Sequence, residues 1–207
     1  MAAFSASWPH AILYVLTSAP DRSRWATEMA LAAASVANYC DHVEHNEAAE
    51  LAWVTDAART LRKVACEVAA AEVVDLRILY AERLRVIEAR NPISSPESLD
   101  GGKAVEVATS WRGLQLAQVA HDRIYHSDVQ GLAKADQLRH YALHVAKLAG
   151  AYAELAIGEL GVDDFRARRL PDTLLFGLKL ATVTGKRLPE TALAGEEPIS
   201  SLHLQAA

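Results

Sequence analysis

Apolar residues spaced three or four positions apart predict that this chain is all-α. The first such pattern begins after Asp21 or Ser23, either of which can cap a helix, and ends near His45. Its apolar positions are Trp25, Met29, Ala32, Val36, Tyr39 and Val43. Their spacing places them on one face of an amphipathic helix. The stretch Ala11 to Leu16 is the one candidate for a β-strand.

Residues 46–91 contain neither Gly nor Pro, so periodicity must decide whether they form one helix or two. Asn46 is a suitable N-cap, and Glu47 and Glu50 would interact favourably with the positive end of the helix dipole. The apolar stripe changes phase near Ala69 to Ala71. Because a turn without Gly or Pro is unusual, the pattern favours one long bent helix over two helices.

A segment containing Pro, Ser and Gly divides the chain. Asn91-Pro92 ends the preceding helix, because proline lacks an amide hydrogen and restricts the residue before it. We expect an N-terminal helical region over residues 1–91, a linker over 92–103, a second helical region over 104–185 and a tail over 186–207. The tail is expected to be mobile or to lie against a partner. A single compact domain built from both regions is the alternative.

Three more helices are expected in the second half. They cover Ala104 to about His126, Ala133 to Ile157, and Leu174 to Val183. Gly158 and Gly185 are stop signals for the last two, and Pro171 suits a first helical turn. With the N-terminal helices, these elements predict a helical bundle of five to six main helices.

Composition and charge argue against several classes of function. The net charge of −5, with basic residues scattered among acidic ones, argues against a nucleic-acid partner. No stretch reaches the roughly 20 apolar residues that a membrane span requires, and the N-terminal apolar run lacks the basic start of a signal peptide. Cys40 and Cys66 have no ligand-like spacing, so we interpret them as buried thiols in a reducing compartment. A cytoplasmic protein is therefore expected.

Two acidic pairs are the first candidate for chemistry, Glu47-x-x-Glu50 and Glu72-x-x-Asp75. Carboxylates three residues apart share a helix face, and two such pairs on neighbouring helices can hold divalent cations against a triphosphate. One continuous helix would separate the pairs by about 37 Å, too far to share a metal. The alternative is that they belong to a solvated face and a first helical turn.

Two stretches of the second half carry a family resemblance. One opens with Arg169-Leu-Pro-Asp172, continues with small and apolar residues, and closes with Gly185-Lys-Arg-Leu188; the other is the helix from His144 through Gly150 to Glu154. Within residues 111–193 they resemble the MazG-like, all-α nucleotide pyrophosphohydrolases. The resemblance implies a helical scaffold, dimerisation, nucleotide binding, and a divalent metal held by acidic pairs.

The acids of that family are largely missing here. Leu148 and Ala151 stand where metal-binding glutamates are expected, and Arg169 replaces a glutamate of the later pair. Asp172 and Glu154 are the ligands that carry over. The resemblance therefore implies the scaffold more strongly than the hydrolysis, and a binder of a nucleotide or phosphorylated metabolite with weak or no hydrolysis is the preferred hypothesis.

A set of imidazoles and carboxylates at helical spacing is the second candidate site. Its members are His121, Asp122, His126, Asp128, Asp136, His140 and His144. Side chains four residues apart lie on one helix face, so packing of the two helices would bring the set together. Such a set suits Zn, Fe or Mn, or a histidine acting in acid-base catalysis, while a purely structural polar network is the alternative.

Three functional hypotheses remain open, and with them the question of whether the chain is an enzyme. The preferred one is the MazG-like binding protein, with Mg or another divalent metal as its cofactor. The second is a metal-dependent enzyme with a histidine and carboxylate site between helices. The third is a non-enzymatic helical adaptor. A homodimer is expected in each case, since long amphipathic helices leave apolar surface for a partner.

Overall fold

The computed structural model describes residues 19–92 and 99–192, and within these ranges the chain is all-α with no β-strand. The helices of four or more residues are α1 (Ala19–Glu44), α2 (Leu51–Ala71), α3 (Leu76–Arg90), α4 (Gly101–Glu106), α5 (Trp111–Tyr125), α6 (Ser127–Gln130), α7 (Lys134–Ile157) and α8 (Leu170–Val183). A short turn, Val162–Asp164, and a π-helix, Phe165–Arg169, precede α8. The class is as predicted, but the helix count is eight rather than five to six, and α4 and α6 are the short additions.

Helix α8 is the centre of the fold. All of its residues from Leu170 to Ala181 are buried, because its sequence is apolar on almost every side. It packs against α2, α3, α5 and α7, while α1 lies across α2 and α7. Residues from both sides of the expected linker belong to one hydrophobic core. Every helix in the described part of the chain is too short or too polar to cross a membrane.

The prediction of one bent helix between residues 46 and 91 is wrong. Helix α2 ends at Ala71, and Val73 adopts a positive φ of 51°, a left-handed conformation that is rare for a β-branched residue. Asp75 then caps α3 by accepting hydrogen bonds from the backbone amides of Arg77 and Ile78. A local cap replaces the glycine that the turn would ordinarily contain.

The start of α2 also differs from the prediction. Asn46 has a positive φ of 56° and follows α1, so it lies at the end of the first helix instead of capping the second. Glu50 occupies the N-cap position, without a side-chain capping hydrogen bond. Glu47 and Glu50 therefore precede the helix and do not lie in its first turn.

The helix expected from Ala104 to His126 is interrupted. Ser110 begins α5 by accepting a hydrogen bond from the Gly113 amide at 3.0 Å, and Val107, which lies between α4 and α5, is 69% exposed. Gly101 and Gly102, expected in the linker, form the first turn of α4 and are buried. Residues 93–98 of that segment lie outside the described residues.

The remaining helices agree more closely with the sequence. Helix α7 ends at Ile157 before Gly158, whose φ is 82°, and the apolar residues that recur every three or four positions from Leu138 to Leu155 are buried. Helix α8 begins at Leu170, four residues before the expected start. The first part of the expected tail, residues 186–192, packs against α5. There the Gln115 side chain donates a hydrogen bond to the Lys186 carbonyl and accepts one from the Leu188 amide. The strand candidate at 11–16 and residues 193–207 lie outside the described ranges.

Candidate functional site

A cavity of about 300 Å³ lies between α3, α7 and α8, with the π-helix and the end of α5 completing its wall. Six cationic side chains line it: Arg83, Arg90, Lys147, Arg168, Arg169 and Lys179. Three histidines join them, His126, His140 and His144, and Asp172 is the one carboxylate that the described residues contribute to the lining. The cavity is thus strongly cationic although the whole chain is acidic.

Two of these cations are already neutralised. Arg83 donates hydrogen bonds to both carboxylate oxygens of Asp172, at 2.6 and 3.1 Å, and the Lys179 ammonium lies 2.9 Å from Asp122 Oδ1. Arg90, Lys147, Arg168 and Arg169 form no ion pair with any residue that the structure describes. Four positive charges therefore face the cavity without a counter-charge among the described residues, an arrangement that favours an anionic ligand.

The π-helix supplies two of those four cations. Its wider turn brings the consecutive residues Arg168 and Arg169 to the same cavity, while Arg166 forms an ion pair with Glu72. Phe165 anchors the π-helix by packing its ring edge-on against Tyr152 at 4.8 Å. Such turns occur frequently at functional sites. The basic run between residues 166 and 169 is the sequence signal that could have revealed this part of the site.

The three histidines of the cavity are partly buried. His144 stacks on Phe176 with ring centroids 4.5 Å apart, and His140 lies 4.8 Å from His144. Burial is the main cause that lowers the pKa of His144 to about 4, with His140 adding to it. Burial likewise lowers the pKa of His126 to about 4 and lowers that of His140. At neutral pH these rings are uncharged hydrogen-bonding groups.

A buried polar network continues from the cavity into the core. The Tyr80 hydroxyl donates to Gln118 Oε1, and Gln118 Nε2 donates to Asp122 Oδ1 at 2.7 Å. Burial raises the pKa of Asp122, but the neighbouring His121 imidazole and Lys179 ammonium outweigh burial and lower it. Asp122 is therefore an ionised carboxylate inside the core. Lys179 also lies 5.8 Å from the ring centroid of Tyr141.

His121 is a buried residue of this region whose imidazole nitrogens lack hydrogen-bond partners among the described residues. Its side chain is fully buried. Nε2 lies 3.5 Å from Glu88 Oε1, and Nδ1 lies 3.9 Å from Asp122 Oδ1. The ring of His126 is 5.9 Å away, centroid to centroid. The structure thus groups His121 with Asp122 and His126, whereas His140 and His144 pair with each other along the cavity.

The two acidic pairs do not come together. Glu47 and Glu50 precede α2, and Glu72 and Asp75 follow it, so about 30 Å of helix separates the pairs. Glu72 interacts with Arg22 and Arg166, and Asp75 caps α3. Asp172, one of the two acids that the family resemblance carries over, forms an ion pair with Arg83. These positions therefore do not form a single cluster of carboxylates.

No family model matches the chain, and neither the curated proteins nor the solved structures include a significant match.

Proposed function

We propose that this protein binds a small phosphorylated anion, a nucleotide or a related metabolite, in the cavity between α3, α7 and α8, and does not hydrolyse it. The observation that carries the proposal is the set of four cations that face the cavity without counter-charges. Guanidinium groups match phosphate oxygens in charge and in geometry, and ammonium groups supply further charge. A cavity of about 300 Å³ has room for a diphosphate or a mononucleotide.

The side chains that line the cavity support binding of a phosphorylated ligand without magnesium. A MazG-like hydrolase holds its metal with paired carboxylates, whereas the carboxylate in this cavity is bound to Arg83. Of the positions where such acids are expected, Arg169 is basic and Leu148 and Ala151 are apolar. The cavity cations would therefore neutralise the phosphates directly. A non-hydrolytic relative of that scaffold fits these residues better than an active pyrophosphohydrolase.

Ligand binding to the wild-type chain is the direct test. In the presence of EDTA, pyrophosphate, ADP and ATP are expected to raise the melting temperature, because a ligand that binds the folded state stabilises it. Adenosine, which has no phosphate, is expected to produce no shift. A shift that needs magnesium, or release of inorganic phosphate from the nucleotides, would contradict the proposal.

Removing two cavity cations should weaken this binding without affecting the fold. The double variant Lys147→Ala with Arg168→Ala is expected to bind pyrophosphate at least about 100-fold less tightly, because each of the two lost charge-assisted hydrogen bonds contributes about 1.5–3 kcal/mol. Both side chains are exposed, so the melting temperature without ligand should hardly change. Isothermal titration calorimetry measures the affinity. Lys134→Ala, an exposed lysine on α7 outside the cavity, is the matched control and should bind like wild type.

Sulfate binding should strengthen as the pH falls from 7 towards 5. Sulfate keeps its charge over this range, whereas a bound anion favours the protonated form of His144 and raises its pKa from about 4. Binding then takes up protons, and the affinity rises by at most about 10-fold per pH unit for each proton. The groups facing His144 are His140, Lys147, Lys179 and His126. Calorimetry at several pH values should show a smaller slope for His144→Ala; equal slopes would contradict this linkage.

A further inference from the structure

We propose that His121, Asp122 and His126, at the carboxyl end of α5, form a binding site for one divalent transition-metal ion, separate from the phosphate-binding role. Each residue offers one donor atom, and these three atoms lie within 4.8 Å of one another. Two imidazoles with one carboxylate suit Zn, Fe, Co or Ni, and disfavour Mg and Ca, which prefer oxygen ligands.

The end of the helix makes this grouping possible. His121 and Asp122 lie on the last turn of α5, and His126 is its C-cap, with φ −137° and ψ 37°. Because His126 leaves the helical path, its ring can lie beside His121 although the two residues are five apart in sequence. Ligands about 2.0–2.2 Å from a shared ion lie roughly 3–4 Å apart, so side-chain rotations alone would close the site.

The buried imidazole of His121 is the independent observation that points to a ligand. A buried polar group without a partner is destabilising, and native structures retain few of them. Glu88 faces Nε2 and is itself fixed by the Gly101 amide, which donates to Glu88 Oε1 at 2.9 Å. At 3.5 Å this carboxylate forms no hydrogen bond with Nε2, but its negative charge favours the tautomer with the proton on Nε2, which leaves the Nδ1 lone pair for an ion.

Lys179 sets the strength of the site. Its ammonium lies 2.9 Å from Asp122 Oδ1, so a metal must share or replace a cation that is already present. The ammonium has another place to interact, over the rings of Tyr141 and Phe176 at 5.8 and 5.7 Å. Metal and lysine therefore compete for the same carboxylate. His126 also lines the cavity, which gives the ion a route of entry.

The test is titration of the metal-stripped full chain with Co²⁺, followed by visible absorption and by calorimetry. One equivalent of Co²⁺ is expected to bind and to produce the ligand-field bands of a site with nitrogen ligands, and Zn²⁺ should displace it. His126→Ala should abolish the bands. Glu88→Gln, which keeps the side-chain shape, should weaken binding about 10–100-fold. His45→Ala, an exposed histidine at the end of α1, should bind normally.

Several outcomes would overturn the inference. They are the absence of a one-to-one Co²⁺ complex in wild type, full binding by His126→Ala, and loss of the bands in His140→Ala to the same degree, which would place the ion among the cavity histidines. Circular dichroism melts of each variant separate loss of a ligand from loss of the fold. Because the phosphate titrations contain EDTA, failure of the metal site would leave the proposed function standing, and the reverse also holds.

Discussion

Replacing Lys179 with alanine is expected to lower the free energy of unfolding by about 3–5 kcal/mol. Lys179 and Asp122 are both about 95% buried, since their side chains retain 5% and 4% of their accessible surface. Without the ammonium, the core holds an ionised carboxylate whose remaining partners are Gln118 and the His121 ring. Removing one member of a buried ion pair costs far more than the pair contributes, because the other charge stays desolvated.

Urea unfolding monitored by circular dichroism measures this loss, with Arg139→Ala as the control. Arg139 forms an ion pair with Asp136 at 3.2 Å on the exposed face of α7, so its replacement should cost no more than about 1 kcal/mol. The double variant Lys179→Met with Asp122→Asn should regain much of the stability, since no charge is left unpaired. A loss below about 1 kcal/mol for Lys179→Ala would mean that Asp122 is not ionised in the folded chain.

The sequence predicts well those helices in which periodicity and a stop signal agree. In α7 the apolar stripe recurs every three or four residues up to Leu155, and Gly158 then adopts the left-handed conformation that glycine permits. The all-α class and the buried face of α1 follow from the same reasoning. In these helices the local sequence preferences, namely apolar spacing and stop signals, already agree with the tertiary packing.

The turns were mispredicted where a local preference is overruled. Val73 adopts a left-handed backbone conformation that β-branched residues rarely adopt, so its sequence gives no indication that a helix ends there. The Asp75 cap and the ion pair between Glu72 and Arg166 stabilise that turn, but the second partner is more than ninety residues away in the chain. Gly101 and Gly102 indicated a linker, yet they are buried because Glu88 and Arg85 pack closely against their backbone.

Helical spacing grouped the histidines into one candidate set, and three of them, His126, His140 and His144, line the cavity. The same spacing gave no indication of the cations that line the cavity with them. The four cations that form no ion pair within the described ranges come from α3, α7 and the π-helix. A surface arginine in a helical sequence ordinarily indicates only a solvated face. Their convergence is a property of packing around α8, which spacing within one helix cannot reveal.

Phe165→Ala is expected to lower the free energy of unfolding by about 3–5 kcal/mol and to weaken pyrophosphate binding. The Phe165 ring is 1% exposed and packs edge-on against Tyr152, so its removal leaves a cavity between the π-helix and α7. We expect the orientation of Arg168 and Arg169 towards the cavity to depend on this packing of Phe165. Leu143→Ala, which truncates a side chain 65% exposed on α7, should change stability by less than about 0.5 kcal/mol.

Two measurements separate the anchoring role of Phe165 from simple loss of stability. Urea unfolding gives the stability loss, and calorimetry well below the melting temperature gives the pyrophosphate affinity of chains that are still folded. The affinity should fall by about as much as in Arg168→Ala, because a loosened π-helix no longer holds its cations towards the cavity. Wild-type affinity in folded Phe165→Ala would show that the arginines reach the ligand without a rigid π-helix.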